Sequence, residues 1–184
     1  SDTFNCSTGT DTLAITDGGT IDLTNGASVG GIDLVTIDDS ATVFTAHNAN
    51  LSISAGDGGN TITLGTGAQD VTSGIGADIV NLGTGNNNIN TGDGSDTVNG
   101  AVEAGDAIDL DLGNDTYNYN AASTGGTLSG GAGTDTLSFG TPGVTNVTIT
   151  LGAIANTTIG GVAFSNFDSL SAGGSDDSLT IIAS

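Results

Sequence analysis

Large aliphatic residues recur at a fixed interval through a segment that is otherwise Gly, Asp, Asn, Ser and Thr. Ile62, Val71, Val80, Ile89 and Val98 follow one another at steps of 9, and Ile108, Tyr117, Leu128 and Leu137 continue at 10, 9, 11 and 9. Upstream, Phe44 and Ile53 reach Ile62 in the same step of 9. This is neither a helical period nor a long strand alternation; it is an internal repeat, which takes precedence over local propensity. Each unit reads as a G-x-G-x-D turn followed by a short x-U-x strand with one inward apolar residue. "TIT" at Thr61, "TVN" at Thr97 and "TLS" at Thr136 are such strands.

A strand that short cannot bury its face alone, so units must stack. Two of them make a coil of about 18 residues, and coils stack at the ~4.8 Å spacing of a parallel sheet. The fold predicted is all-β: a parallel β-roll, or right-handed β-helix solenoid, with the U residues as a narrow core and a turn along each edge. Alternate turns then share an edge. One edge receives Asn60, Asp78, Asp96, Asp115 and Asp135, at intervals of 18, 18, 19 and 20. The other receives Gln69, Asn87, Asp106 and Gly126. Carboxylates stacked ~4.8 Å apart repel by roughly 3 to 4 kcal/mol per neighbouring pair at an effective dielectric of 20. The first edge therefore needs a countercharge.

Composition shows that the chain does not supply one. It carries 21 acidic residues, all Asp except Glu103, no Lys or Arg, and a net charge of -21. Such a surface excludes nucleic acid and anionic membranes as direct partners, since both are bound through cations. The countercharge must come from solution. Calcium accepts six to eight oxygens in irregular geometry, whereas magnesium demands a tight octahedron. One His and one Cys make zinc improbable. The 32 Gly and 4% aromatic content deny the chain a conventional core, yet 35% hydrophobic residues argue against disorder. No apolar run approaches the ~20 residues that span a bilayer.

The nonapeptides resemble the RTX, or repeats-in-toxin, family, whose calcium-binding unit is G-G-x-G-x-D-x-U-x. "GGAGTDTLS" from Gly130 matches at every fixed position, and "TGDGSDTVN" from Thr91 and "SGIGADIVN" from Ser73 depart only at the first glycine. "AGDGGNTIT" from Ala55 has Asn60 in place of the acid, and "LGTGAQDVT" from Leu64 has Gln69 there. The resemblance covers about Ala55 to Ser138. It implies calcium held by Asp78, Asp96, Asp115 and Asp135, with carbonyl ligands at Gly74, Gly76, Gly92, Gly94, Gly131 and Gly133. By the same repeat, Gly56, Gly58, Asn60 and Gly113 join the candidate metal set. The opposite edge is expected to be weaker, with stacked Asn and Gln forming amide ladders. The family also implies type I export of an unfolded chain and an extracellular or cell-surface location.

Three parts are expected: residues 1–54, a divergent β-helical extension or a separate small β domain; residues 55–139, the β-roll; and residues 140–184, a β-rich coil or cap. In the first, "TGTDTLAI" from Thr8 is a worn copy with Asp11 in the acid position. In the last, Phe164 and Phe167 are expected to pack as a cap, Asp176 and Asp177 precede Leu179 as site acids would, and "DDSLTIIAS" loosely matches a family secretion signal. Cys6 is alone and expected to be buried. The first residue is Ser and no signal-peptide pattern opens the chain, as in a processed product or an excerpt. N-glycosylation patterns at Asn5, Asn50, Asn146 and Asn156 arise readily by chance in so Asn- and Thr-rich a chain.

No enzyme motif is present, and His47 stands without partners in sequence, so the expectation is a protein that is not an enzyme. The function expected is structural: a secreted, calcium-stabilised segment of a surface layer, filament or adhesin that self-associates. The absence of trypsin sites suits such a material, and little besides Pro142 blocks stacking of open coil ends. The alternatives are a non-catalytic RTX domain of a secreted hydrolase or toxin and an ice-binding RTX domain. The ice-binding reading rests on Thr66 and Thr84 in matching "GTG" turns, with Val102 in the next place.

Overall fold

The computed structural model describes residues 8–24, 31–46, 50–120, 122–139, 147–151, 157–159, 162–171 and 179–183. Every regular element among them is a strand. Two sheets run the length of the chain, and the backbone visits them alternately. The longer contains Thr12–Ile15, Leu34–Ile37, Leu51–Ser54, Gln69–Thr72, Asn88–Asn90, Ala107–Asp109, Thr127–Ser129 and Val162–Ser165 in that spatial order. The second contains Gly19–Asp22, Thr42–Thr45, Thr61–Thr63, Ile79–Asn81, Thr97–Asn99, Thr116–Asn118, Thr136–Ser138 and Ser169–Ser171. All of these pairings are parallel, as a solenoid requires. The fold is a parallel β-solenoid.

Registers follow the repeat residue by residue. Thr61 pairs with Ile79, Ile79 with Thr97, Thr97 with Thr116 and Thr116 with Thr136, which places Asn60, Asp78, Asp96, Asp115 and Asp135 in one column. The apolar residue of each unit points inward. Ile62, Val80, Val98, Tyr117 and Leu137 from one sheet and Ile53, Val71, Ile89, Ile108 and Leu128 from the other are all buried, within one continuous core running from Ile15 to Phe164. Burial of each such side chain stabilises the fold by about 1.5–3 kcal/mol. The strands before residue 55 pair in the same two sheets as those after it.

Outward positions also stack. Asn118 Nδ2 donates to Asn99 Oδ1 (2.7 Å), Asn99 Nδ2 to Asn81 Oδ1 (3.0 Å) and Asn81 Nδ2 to Thr63 Oγ1 (3.1 Å). This amide ladder lies on the outer face of a sheet, where the side chain following U returns once per coil, and uses other residues than the Gln69 and Asn87 expected to form one on the weaker edge. The G-T-G turns meet in a parallel bridge between Thr66 and Thr84, both exposed, but Val102 in the next coil is fully buried and ends the row.

The coil repeat lengthens at its C-terminal end, where 33 residues separate Asp135 from Asp168. Val162–Ser165 joins Thr127–Ser129 in parallel on one side and Thr157–Ile159 antiparallel on the other. Thr157–Ile159 pairs antiparallel with Val147–Leu151, which runs parallel to Leu179–Ala183. Beneath this change of direction, aromatic residues replace aliphatic ones. The Phe164 ring centroid lies 6.1 Å from Tyr117, 6.2 Å from Tyr119 and 6.1 Å from Phe167, and Tyr119 lies 5.2 Å from Phe139. Phe164 and Phe167 thus pack onto the last coils, as expected of a cap.

Candidate metal edge

The acid column is tied together by one repeated hydrogen bond. The side-chain oxygen of each residue accepts the backbone N–H of its counterpart one coil earlier. Thr42 N donates to Asn60 Oδ1 (3.0 Å), Asn60 N to Asp78 Oδ1 (2.6 Å) and Asp78 N to Asp96 Oδ1 (2.8 Å). The series continues from Asp96 N to Asp115 Oδ1 (2.8 Å), Asp115 N to Asp135 Oδ1 (2.9 Å) and Asp135 N to Asp168 Oδ2 (2.9 Å). A carboxylate suits this task because it accepts at either oxygen. Asp78, Asp96, Asp115 and Asp135 each use one oxygen for it, Oδ1.

The second oxygens decide the chemistry of the edge. Asp78, Asp96, Asp115 and Asp135 are 0–1% exposed, and Oδ2 of each is buried without a hydrogen-bond partner. Buried polar atoms are nearly always paired, so four equivalent exceptions in consecutive coils point to a missing partner of one kind. Burial raises the pKa of all four, to about 6 for Asp96 and Asp115; the charges of Asp78 and Asp115 around Asp96, and of Asp135 and Asp111 around Asp115, add to the rise. These carboxylates are short of positive charge.

Asn60 shows what fills the place. Its Nδ2 donates to the carbonyl oxygens of Gly56 (3.3 Å) and Gly58, four and two residues back in its own turn. In the following turns the corresponding positions are Gly74 and Gly76, Gly92 and Gly94, Asp111 and Gly113, and Gly131 and Gly133. Gly74 O and Gly92 O each accept one N–H from the next coil, from Asp93 (3.0 Å) and Leu112 (3.1 Å), which leaves a lone pair on each. Oxygens of this kind, one carboxylate with carbonyls of a tight turn, are the donor set of a hard cation, and calcium fits it. Among the described residues no three Asp, Glu, His or Cys side chains converge. One carboxylate per turn is what this geometry offers.

The turns pack too closely for side chains. A Cβ on Gly131 would lie 1.9 Å from Asp111 O, and one on Gly133 would lie 1.4 Å from Gly113 O. Their φ angles of 90° and 147° are costly for other residues. Asp93–Gly94, Leu112–Gly113 and Ala132–Gly133 pair in parallel as a small ribbon along this edge. Asp111 stands where the other turns have glycine and adopts φ 64°, which a short polar side chain tolerates. It also accepts Asn90 Nδ2 at 3.1 Å.

On the opposite edge, Asn87 and Asp106 each bond backbone groups through both side-chain polar atoms. Asn87 Oδ1 accepts Gln69 N (3.2 Å), and Asn87 Nδ2 donates to Gly85 O (3.3 Å). Asp106 Oδ1 accepts Asn87 N (2.7 Å) and its Oδ2 accepts Glu103 N (2.7 Å). Both oxygens are satisfied, although burial still raises this carboxyl's pKa. Gly126 falls in the same column beside Asp106.

The structure thus brings every residue of the candidate set, Gly56 to Asp135, onto one edge. Asn60, Gly56 and Gly58 pair with one another there. Asp111 and Asp168 were missed by sequence reasoning. Asp168 hides behind the long insertion, but "FDSL" repeats the D-x-U signal of "TDTL". Asp11 is placed beside Asp33 on the opposite edge, its N–H donating to Asp33 Oδ2 at 3.0 Å. Cys6, His47, Pro142, Asp176, Asp177, Asn5, Asn146 and Asn156 lie outside the described residues. Among the described residues no helix is long and apolar enough to cross a membrane. No protein-family model, curated protein or solved structure matches the chain.

Proposed function

We propose that this chain is a calcium-dependent β-roll of the RTX type, serving as a structural segment of an extracellular surface layer, filament or adhesin. One observation carries the reading: four buried Oδ2 atoms without partners, one per coil, in a chain that has no Lys or Arg to neutralise them. Asp78, Asp96, Asp115 and Asp135 hold the ions, together with turn carbonyls. Bound calcium supplies charge neutralisation and cross-links successive coils. The residues themselves set the spacing, through the Oδ1 ladder, and keep the edge narrow, through glycine.

Folding is then controlled by compartment. Where calcium is scarce, repulsion between stacked carboxylates loosens the edge; where it is abundant, the edge is cross-linked. The protein's work is mechanical and not catalytic, and the long regular sheets suit assembly with further copies. The test is a calcium titration followed by far-UV circular dichroism, with EGTA reversal. A β signal and a thermal midpoint that rise with calcium and fall on chelation are expected. A spectrum and a midpoint indifferent to both refute the proposal.

A further inference from the structure

The two asparagines at acid positions behave alike, on different edges. Asn60 Nδ2 bonds the carbonyls of Gly56 and Gly58, and Asn87 Nδ2 bonds the carbonyl of Gly85, in each case including the residue two positions back. Each Oδ1 meanwhile accepts the same inter-coil N–H that an aspartate Oδ1 accepts elsewhere. An amide therefore keeps the ladder bond and turns its second polar atom from an orphaned acceptor into a donor aimed at the turn carbonyls. Asn60 is 1% exposed, as buried as Asp78 in the next coil.

We infer that Asn60 is a built-in cation substitute that terminates the file of metal ions at its N-terminal end. The file begins with Asp78. The Asn60 turn and the coils before it close without metal, because the amide N–H₂ occupies the space and satisfies the carbonyls that an ion takes in the Asp78, Asp96, Asp115 and Asp135 turns. The chain then has a metal-independent section joined to a metal-dependent one, and the ordered section offers a template edge on which the first calcium-bearing coil pairs. This inference rests on the proposed calcium function.

The test compares the full chain with Asn60→Asp and Asp78→Asn. Calcium bound per chain is measured by equilibrium dialysis with elemental analysis at saturating calcium, and thermal midpoints are measured in EGTA. Asn60→Asp is expected to bind one more ion than the wild type and to melt lower in EGTA. Asp78→Asn is expected to bind one fewer and to melt higher in EGTA. An unchanged ion count in folded Asn60→Asp overturns the inference. Should Asn60→Asp fail to fold, Asp78→Asn decides: a lower midpoint in EGTA overturns the inference and a higher one supports it. A wild-type count of zero overturns the proposed function itself, whereas a non-zero count identical in all three chains overturns only the role of Asn60.

Discussion

Replacing Asp96 by Asn should change stability in opposite directions with and without calcium. Asp96 lies in the middle of the column, with Asp78 and Asp115 one coil away on either side. At the ~4.8 Å coil spacing each ionised pair costs roughly 3 to 4 kcal/mol at an effective dielectric of 20. Burial pushes the carboxyls of Asp96 and Asp115 up to about 6, which leaves this pair ionised at pH 7.5. Partial screening leaves a relief of about 2 kcal/mol when the middle charge is removed. The introduced amide can also bond the carbonyls of its own turn, as Asn60 does. For a chain of this size about 2 kcal/mol corresponds to about 4–8 °C. The thermal midpoint of Asp96→Asn in EGTA at pH 7.5 should therefore rise by that amount. In millimolar calcium the same substitution removes a ligand, and the midpoint should fall below that of the wild type. Melting followed by circular dichroism in the two buffers reads both effects. A shift of the same sign in both refutes the reasoning, because a purely structural role for Asp96 would not distinguish them.

Three further outcomes follow from the same geometry. Without calcium, stability should decline as pH rises from about 4 to about 7: the folded carboxyls of Asp96 and Asp115 titrate near 6 and unfolded ones near 3.8, so the folded state holds more protons in this window and loses that advantage above it. A calcium-free midpoint that climbs with pH would contradict this. Gly131→Ala places a Cβ 1.9 Å from Asp111 O at φ 90° and should destabilise the protein by at least about 2 kcal/mol in chemical denaturation, whereas Gly9→Ala, with open space around it, should cost less. Phe164→Ala empties the centre of the aromatic cluster and should cost about 3–5 kcal/mol whether or not calcium is present.

Much of the fold was legible because a solenoid writes its geometry into one dimension. The step of 9 between Ile62 and Val71 fixes which residues point inward, and the double step between Asp78 and Asp96 fixes which turns share an edge. The count survives insertions of one or two residues, so Asp115 and Asp135 fell into the column without structural help. It does not survive an insertion on the scale of the one before Asp168, which rejoins the column from 33 residues away. Asp11 illustrates a different limit. A worn repeat shows that a turn exists, but its edge depends on the number of coils between it and the regular array. Asp111 was invisible for a third reason: an aspartate in a glycine position looks like a departure from the motif until its φ is known.

The placement of the acids on one edge was legible, but their bonding was not. Absence of Lys and Arg and the alignment of Asp residues pointed to an external cation, but which oxygen is free depends on the ladder bond that consumes Oδ1. At Asp106 the ladder bond consumes Oδ1 and a second backbone N–H, from Glu103, consumes Oδ2, so this carboxylate has no free oxygen. By its repeat position Asn60 belongs to the candidate metal set. In the folded chain its oxygen is taken by Thr42 N–H and its nitrogen faces the carbonyls.

The most direct measurement is an anomalous difference map, collected at long wavelength from crystals grown in calcium. A line of peaks should run along one edge, beside Oδ2 of Asp78, Asp96, Asp115 and Asp135, with none beside Asn60 or Asp106. A map with no density at those four oxygens, or with peaks only at exposed carboxylates, would contradict the account.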